Sequence, residues 1–276
     1  SEFGFAVATA GDTDADGSSE VLVGSPGTDQ VFVFQGEHNQ LPATAMVTLA
    51  SPIAGARFGA AVSTAGDVNG DGRSDVIIGA PQFSNGQAGE GAVFIYHGAP
   101  GQLNPTIQQQ LERNQAGANF GSAVAGAGDL NGDGYFDIIA GANNWTNGQA
   151  SEGIVLTYRG SASGVLPGSA GAIELNFANA RLGTSVAEGG DINGDGYADV
   201  VVSMPNFTNP ETNEGRVYVY LGSPVGLSGN QFIESNLSNA RFGSSVAGGG
   251  DVDGDGYSDI VIGASSFDNA SWTDSG

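Results

Sequence analysis

Residues 66–81 read GDVNGDGRSDVIIGAP, a loop dense in acidic and amide side chains that runs directly into an apolar segment. Within the loop, oxygen-bearing side chains alternate with other residues, and a glycine and a closing aspartate follow. Similar loops recur at spacings of 55, 62, 62 and 60 residues, and they begin at Asp12, Asp67, Asp129, Asp191 and Asp251. A regular period of about 60 residues indicates a repeat protein.

Each repeat presents the same segments in the same order. An FG-type dipeptide precedes the acidic loop, an apolar run such as VIIGAP follows it, and a polar loop leads to an alternating run such as VFIYHG. These short runs of Val, Ile, Phe and Tyr between turn-forming residues predict β-strands. A looser segment, 173–177 in the third repeat, predicts a fourth strand. The FG-type dipeptides are Phe3-Gly4, Phe58-Gly59, Phe120-Gly121, Leu182-Gly183 and Phe242-Gly243.

Four antiparallel strands in a repeat of this length predict the blade of a β-propeller, so the expected fold class is all-β. We expect one propeller domain over residues 1–276, with four full repeats and a partial fifth. The repeats span about 1–56, 57–118, 119–180, 181–240 and 241–276.

The acidic loops have the donor pattern of a hard-cation site. In all five, positions 1, 3, 5 and 9 carry oxygen side chains, and position 6 is the glycine that allows a tight turn. Position 7 varies in type, as expected if its backbone carbonyl is the ligand. The predicted metal ligands are Asp12, Asp14, Asp16, Ser18 and Glu20; Asp67, Asn69, Asp71, Arg73 and Asp75; Asp129, Asn131, Asp133, Tyr135 and Asp137; Asp191, Asn193, Asp195, Tyr197 and Asp199; and Asp251, Asp253, Asp255, Tyr257 and Asp259.

An EF-hand shares the first six positions but needs a bidentate glutamate at position 12 and a helix after the loop. Position 12 is apolar in every copy and lies in a strand-like run: Val23, Ile78, Ala140, Val202 and Ile262. We therefore predict nine-residue calcium loops between two strands, with up to five calcium ions bound. The ligand carboxylates account for 17 of the 30 acidic residues, and five divalent ions would change the net charge from −23 to −13.

The composition excludes some classes of binding partner. With 30 acidic and 7 basic residues, the chain lacks the basic patch that nucleic acids and anionic membranes require, so no nucleic-acid partner is expected. No apolar run reaches the length of a membrane span, which predicts no membrane insertion. The absence of cysteine excludes disulfides and thiol-ligated zinc.

The order of FG, an acidic loop D-x-[DN]-x-D-G-x-x-D and an apolar run ending in Gly-Ala-Pro resembles the FG-GAP repeat of integrin α subunits. The resemblance implies calcium as the ion, a seven-bladed ring, and an extracellular or cell-surface location, with the periplasm as an alternative. Gly-Ala-Pro is intact only at residues 79–81. Loop 1 has Ala15 in place of glycine and Glu20 in place of aspartate, so its site is expected to be the most distorted. Integrin ectodomains are cysteine-rich, so the absence of cysteine favours a microbial relative.

The fifth repeat, residues 241–276, contains only the first two strands of a blade, and a seven-bladed ring needs about two and a half more repeats. We expect other polypeptide to complete the propeller, either as a continuation of the same protein or as another chain. The edge of the strand at 260–263 would otherwise stay unpaired and invite association.

Three functions are compatible with these features, because fold alone does not give function. The favoured one is a non-enzymatic adhesion module outside the cytoplasm that binds an unknown protein or glycan ligand. The second is a structural subunit of a surface filament or large assembly, and the third is an enzyme of the lyase- or lipase-associated propeller type. An enzyme needs a non-repeated catalytic cluster, and a chain with no lysine and two isolated histidines indicates none.

Some side chains recur in register outside the loops. Glu90, Glu152 and Glu214 precede the third strand and are expected to accept structural hydrogen bonds. The polar loop carries an aromatic residue that either forms an exposed rim or, as we favour, packs between blades: Phe83, Trp145, Phe207 and Phe267.

Arginines precede three FG-type starts and are expected to form salt bridges between blades: Arg57, Arg181 and Arg241. The two histidines, His38 and His97, follow alternating runs and are expected to be ordinary turn residues.

Overall fold

The short apolar and alternating runs pair into antiparallel sheets in a computed structural model that describes residues 2–36 and 42–267. Eighteen strands occur in those residues, and no helix does. The strands are β1 (Val7–Gly11), β2 (Glu20–Ser25), β3 (Gln30–Phe34) and β4 (Val47–Ala50); β5 (Ala61–Gly66), β6 (Asp75–Ala80), β7 (Ala92–Tyr96) and β8 (Gln109–Glu112); β9 (Phe120–Gly128), β10 (Asp137–Ala142), β11 (Ile154–Tyr158) and β12 (Gly171–Ile173); β13 (Val186–Gly190), β14 (Asp199–Met204), β15 (Arg216–Leu221) and β16 (Ser228–Glu234); and β17 (Phe242–Gly250) and β18 (Asp259–Ala264).

Each full repeat forms one four-stranded antiparallel sheet in which every strand pairs with the next along the chain. Pairs such as Val76 with Tyr96 and Ala80 with Ala92 show an unbroken register between β6 and β7. This meander is the blade of a β-propeller, so the predicted fold class is confirmed. In the third blade the fourth strand is Gly171–Ile173, and it shares only Ile173 with the segment that the sequence indicated.

The second strand of each inner blade is buried on both faces, as its unbroken apolar run predicts. Every residue of β6, β10 and β14 is buried. Apolar clusters form between successive blades, and Phe83 and Phe207 belong to them with 1% of their surface exposed. Trp145 and Phe267 are half-buried. The interpretation as packing residues is therefore confirmed for Phe83 and Phe207.

The glycines of the FG and Gly-Ala-Pro segments are where neighbouring blades meet. A Cβ added to Gly79 would lie 2.0 Å from the carbonyl oxygen of Gly121 in the next blade. The same contact joins Gly24 to Gly59 and Gly141 to Gly183 at 2.1 and 2.2 Å. These backbone contacts leave no room for a side chain, which explains why glycine stands at both positions.

Successive blades form an arc through their first strands, which pack on one another in the order β1, β5, β9, β13 and β17. Both flanks of this arc expose apolar side chains. Val7 is 62% exposed on the first blade and Val261 is 59% exposed in β18, whereas Ile77, at the position equivalent to Val261, is fully buried. Within the described residues β18 pairs only with β17.

Candidate metal centres

The first aspartate of each loop folds the loop around itself. Asp67 Oδ1 accepts hydrogen bonds from the backbone N–H groups of Gly70 and Asp71 at 2.7 and 3.0 Å, and Oδ2 accepts from Gly72 at 2.8 Å. Asp129, Asp191 and Asp251 make the equivalent bonds. One carboxylate therefore satisfies the donors of the turn in the same way in loops 2 to 5.

Loop 1 keeps this shape despite its different sequence. Ala15 adopts a left-handed backbone with φ of 64°, close to the 74° of Gly70 at the equivalent position. Such a conformation is unfavourable for a residue with a Cβ. Asp12 still accepts from the backbone N–H groups of Asp16 and Gly17, at 3.2 and 2.9 Å.

The carboxylate at position 9 ties the loop to the end of the third strand. Asp75 is fully buried, and its two oxygens accept from the backbone N–H groups of Val68 and Gly98 at 3.0 and 2.9 Å. Asp137 and Asp199 make the equivalent pairs of bonds. Position 9 therefore has a structural role in the fold in addition to its predicted role as a ligand.

Burial raises the pKa of all three of these carboxyl groups, Asp199 included. The pKa of Asp75 rises to about 7, mainly because burial disfavours the charged form, and the nearby Asp71 and Asp67 carboxylates raise it further. The same causes raise the pKa of Asp137 to about 6. A bound divalent cation would act in the opposite direction, because it favours the ionised form.

Two loops bring three carboxylates together. Oxygens of Asp12, Asp14 and Glu20 lie within 4.8 Å of one another in loop 1, as do those of Asp251, Asp253 and Asp255 in loop 5. Loops 2 to 4 have asparagine at position 3, and therefore one carboxylate fewer. The triads differ: loop 1 uses positions 1, 3 and 9, whereas loop 5 uses positions 1, 3 and 5. Glu20 and Asp259 make the same backbone contact, accepting from the N–H groups of Thr13 and Val252 at 2.7 and 2.8 Å. An all-oxygen donor set without nitrogen or sulfur fits a hard divalent cation.

The side chain at position 7 has a packing role that the sequence interpretation missed. A Cβ added to Gly70 would lie 2.8 Å from the ring of Tyr135 in the next loop, and Gly132 and Tyr197 repeat the pair. Gly194 and Tyr257 do so a third time. The available signal was the parallel occurrence of Gly at position 4 and Tyr at position 7 of the following loop. The Gly–Tyr pattern is absent between loops 1 and 2, where position 4 of loop 1 is Ala15 and position 7 of loop 2 is Arg73.

The recurring glutamates are structural acceptors, as predicted. Glu90 and Glu214 are fully buried, and each accepts from the backbone N–H of the residue five positions earlier at 2.7 Å. Glu152 accepts from Asn147 in the same way. His97 is half-buried directly after β7, and burial lowers its pKa. His38 lies outside the described residues.

The predicted inter-blade salt bridges hold for one arginine of three. Arg57 pairs with Glu2 of the first repeat at 3.0 Å. For Arg181 and Arg241 the prediction is wrong, because neither forms an ion pair within the residues described.

Metal-free protein should become more stable as the pH falls from about 8 to about 5. The raised pKa values, about 7 for Asp75 and about 6 for Asp137, mean that the folded state binds more protons than the unfolded state. This contribution to stability is fully present below the unfolded carboxyl pKa of about 4, and it is lost as the pH rises through 6 to 7. Urea unfolding of metal-free protein at several pH values measures this change in the free energy of unfolding. The variant Asp75→Asn should show a weaker dependence on pH.

With calcium present the slope should reverse, since protons compete with the ion for the loop carboxylates. Metal-free protein whose free energy of unfolding is constant or increases from pH 5 to pH 8 would contradict the assignment of these buried carboxyls.

The four-stranded blades and the acidic loop at the same corner of each define a β-propeller with repeated oxygen-rich loops. The model of the FG-GAP repeat matches residues 58–96, 120–158, 182–220 and 242–276, more than half of the chain. The chain belongs to the FG-GAP repeat family. Its first repeat, outside this match, folds into the same four-stranded sheet.

The chain is also similar to integrin α subunits. It is 32% identical to integrin alpha-V of Gallus gallus over 216 residues, which cover 74% of this chain and 20% of that protein. It is 36% identical to integrin alpha pat-2 of Caenorhabditis briggsae over 225 residues, 74% of this chain and 18% of that one. The chain thus matches about a fifth of the length of these relatives. Within the described residues no helix is long and apolar enough to cross a membrane.

Proposed function

We propose that this chain is a non-enzymatic, calcium-binding propeller module that acts in adhesion outside the cytoplasm. The observation that carries the proposal is the occurrence of the same oxygen-rich loop in five successive repeats of a chain whose relatives are integrin α subunits. The proposed ligands in each loop are the side chains at positions 1, 3, 5 and 9 and the backbone carbonyl of position 7. Bound calcium would supply the positive charge that these clustered carboxylates lack.

The proposed location follows from the affinity that such loops need. Loops with three or four carboxylates fill readily at the millimolar calcium concentrations found outside cells. Five ions would change the net charge of the chain from −23 to −13 and would reduce the repulsion between the loops. We therefore propose an extracellular or cell-surface setting.

The exposed flank of the last two strands supports a proposal about partners. A Cβ added to Gly190 or Gly194 would collide with Ser258 or Tyr257 of the following repeat, whereas one added to Gly250 or Gly254 would meet none of the described residues within 4 Å. The surface around β18 thus has the shape that a further blade covers elsewhere in the chain. We propose that another FG-GAP-type blade, from the same protein or a second chain, packs there.

The adhesion proposal is tested by retention of the chain on a panel of purified extracellular-matrix proteins and defined glycans. Binding to at least one member in about 1 mM calcium, and its loss in chelator, is the expected result. Retention that chelator does not change, or no retention on any member, would argue against a calcium-dependent adhesion module. Assembly into filaments in calcium without any such retention would favour the structural alternative.

Asp133→Asn should reduce the rise in melting temperature that calcium produces. The change removes one ligand charge from loop 3 and keeps the size of the side chain, so one of the five sites should bind more weakly. Glu211→Gln is the matched control, because it removes a charge from a loop without the ligand pattern. Differential scanning calorimetry with and without calcium measures both. An equal calcium-dependent shift in Asp133→Asn and the unmodified chain would remove loop 3 from the proposed sites.

A further inference from the structure

One residue in every repeat is held in the same unusual conformation at the end of the blades opposite the acidic loops. It directly precedes the FG-type dipeptide and has a left-handed backbone with φ between 50° and 57°. Such values are uncommon for residues other than glycine. The equivalent residues are Glu2, Arg57, Asn119, Arg181 and Arg241. The fold therefore presents these five side chains in series along the arc, one from each blade.

The charges of this series are not balanced along the arc. Arg57 pairs with Glu2 at 3.0 Å, and its guanidinium also lies 5.2 Å from the ring centre of Phe5. Arg181 and Arg241 are exposed, and within the described residues neither side chain has an ion pair or a hydrogen bond. Two unpaired arginines on neighbouring blades are notable in a chain with 30 acidic and 7 basic residues.

Both arginines line one cavity of about 320 Å³. Among the described residues no acidic side chain lines it, and its remaining walls are mainly amides and hydroxyls, among them Asn143, Asn206 and Thr184. The side-chain amides of Asn143 and Asn206 are half-buried and make no hydrogen bonds within the described part of the chain. The cavity thus combines two free guanidinium groups with free amide donors and acceptors.

We propose that this cavity binds the carboxylate-bearing sugar of an acidic glycan, with Arg181 and Arg241 holding the carboxylate. Guanidinium groups recognise carboxylates through paired N–H donors. The amides of Asn143 and Asn206 then face the hydroxyl groups of the sugar ring, for which they supply both donors and acceptors. This inference rests on the proposed adhesion function and names the chemical class of its ligand.

The size and lining of the cavity favour a sugar over an acidic side chain of a protein partner. A volume of about 320 Å³ falls at the lower end of small-molecule sites, which are roughly 300–1,000 Å³. It would hold roughly ten water molecules at about 30 Å³ each, so a single carboxylate would leave most of it unfilled. The polar walls offer hydrogen bonds to a hydroxylated ring and little apolar surface for a peptide.

Glucuronate and its uncharged methyl ester are the probes for this site. Titration of the calcium-saturated chain with each, followed by NMR of the arginine side-chain N–H groups, should show binding of glucuronate at least tenfold tighter than binding of the ester. Arg181→Gln and Arg241→Gln should each weaken glucuronate binding about tenfold. Arg159→Gln is the control: this arginine contacts the carbonyl of Val225 outside the cavity, and the change should have no effect.

The proposal fails if glucuronate does not bind, if the ester binds equally well, or if the variants retain the affinity of the unmodified chain. Unchanged melting temperatures of the variants exclude misfolding as the cause of a loss. A short aspartate-rich peptide that binds in an arginine-dependent way when glucuronate does not would replace the sugar by a protein ligand. Failure here with calcium-dependent retention on the panel intact would leave the adhesion function standing.

Discussion

Removal of calcium should lower the melting temperature of this chain sharply. A site with a dissociation constant of about 10 µM in about 1 mM calcium contributes roughly 2.7 kcal/mol to the free energy of unfolding. Several such sites together would contribute as much as the whole net stability of a typical domain, which is roughly 5–15 kcal/mol. Without the ions, three or four carboxylates in each loop repel one another at the corner where the first strand turns into the second.

The measurement is calorimetric unfolding of the chain in calcium, in excess chelator, and after calcium is restored. We expect added calcium to restore the melting temperature. Added magnesium should restore much less of it, because magnesium requires a more regular octahedral shell of ligands. A melting temperature that is the same in excess chelator would mean that the loops are closed by their own hydrogen bonds alone. The bonds from Asp67 to Gly70, Asp71 and Gly72 show how such closure would work.

The sequence was sufficient to predict the blades because their strands carry strong local signals. The fully buried β6 and β10 appear as unbroken apolar runs, and β3 alternates between buried and half-buried residues. The fourth strand of the third blade was placed wrongly, at 173–177 in place of Gly171–Ile173. It is an outer strand of three residues, held mainly by backbone pairing, so its position leaves little trace in the pattern of side chains.

The candidate metal loops could be read from spacing alone, but their interactions with neighbouring blades could not. The contact of Tyr135 with Gly70 joins residues that are far apart in sequence, and only the packing of blade on blade brings them together. The same holds for the arginines that precede the FG-type dipeptides. Arg57 pairs with Glu2, whereas Arg181 has no ion-pair partner in the described part of the chain. Periodicity predicts which positions are equivalent, and the three-dimensional arrangement decides which partners they meet.

The repeated glycine contact between blades explains why FG and Gly-Ala-Pro occur together in one repeat. Each sheet brings the glycine of its second strand against the FG glycine of the next blade, at a distance that excludes any Cβ. Blade 4 is the exception. Ser203 stands at the equivalent position, and its hydroxyl accepts from the backbone N–H of Ser185 at 3.0 Å. A Cβ added to Gly243, the FG glycine of the next blade, would lie 3.0 Å from the Cβ of Ser203.

Gly79→Ala should therefore destabilise the chain by about 3 kcal/mol or more, because the new methyl group must displace backbone and not a flexible side chain. Its Cβ would lie 2.0 Å from the carbonyl oxygen of Gly121 and 3.0 Å from the carbonyl carbon, so the second and third blades must separate. Gly168→Ala is the matched control, since a Cβ there meets nothing within 4 Å and the change should alter stability little. Urea unfolding in saturating calcium compares the two variants with the unmodified chain. If Gly79→Ala is as stable as Gly168→Ala, close packing of glycine against glycine does not hold the blades together, and the inter-blade apolar clusters would have to do so alone.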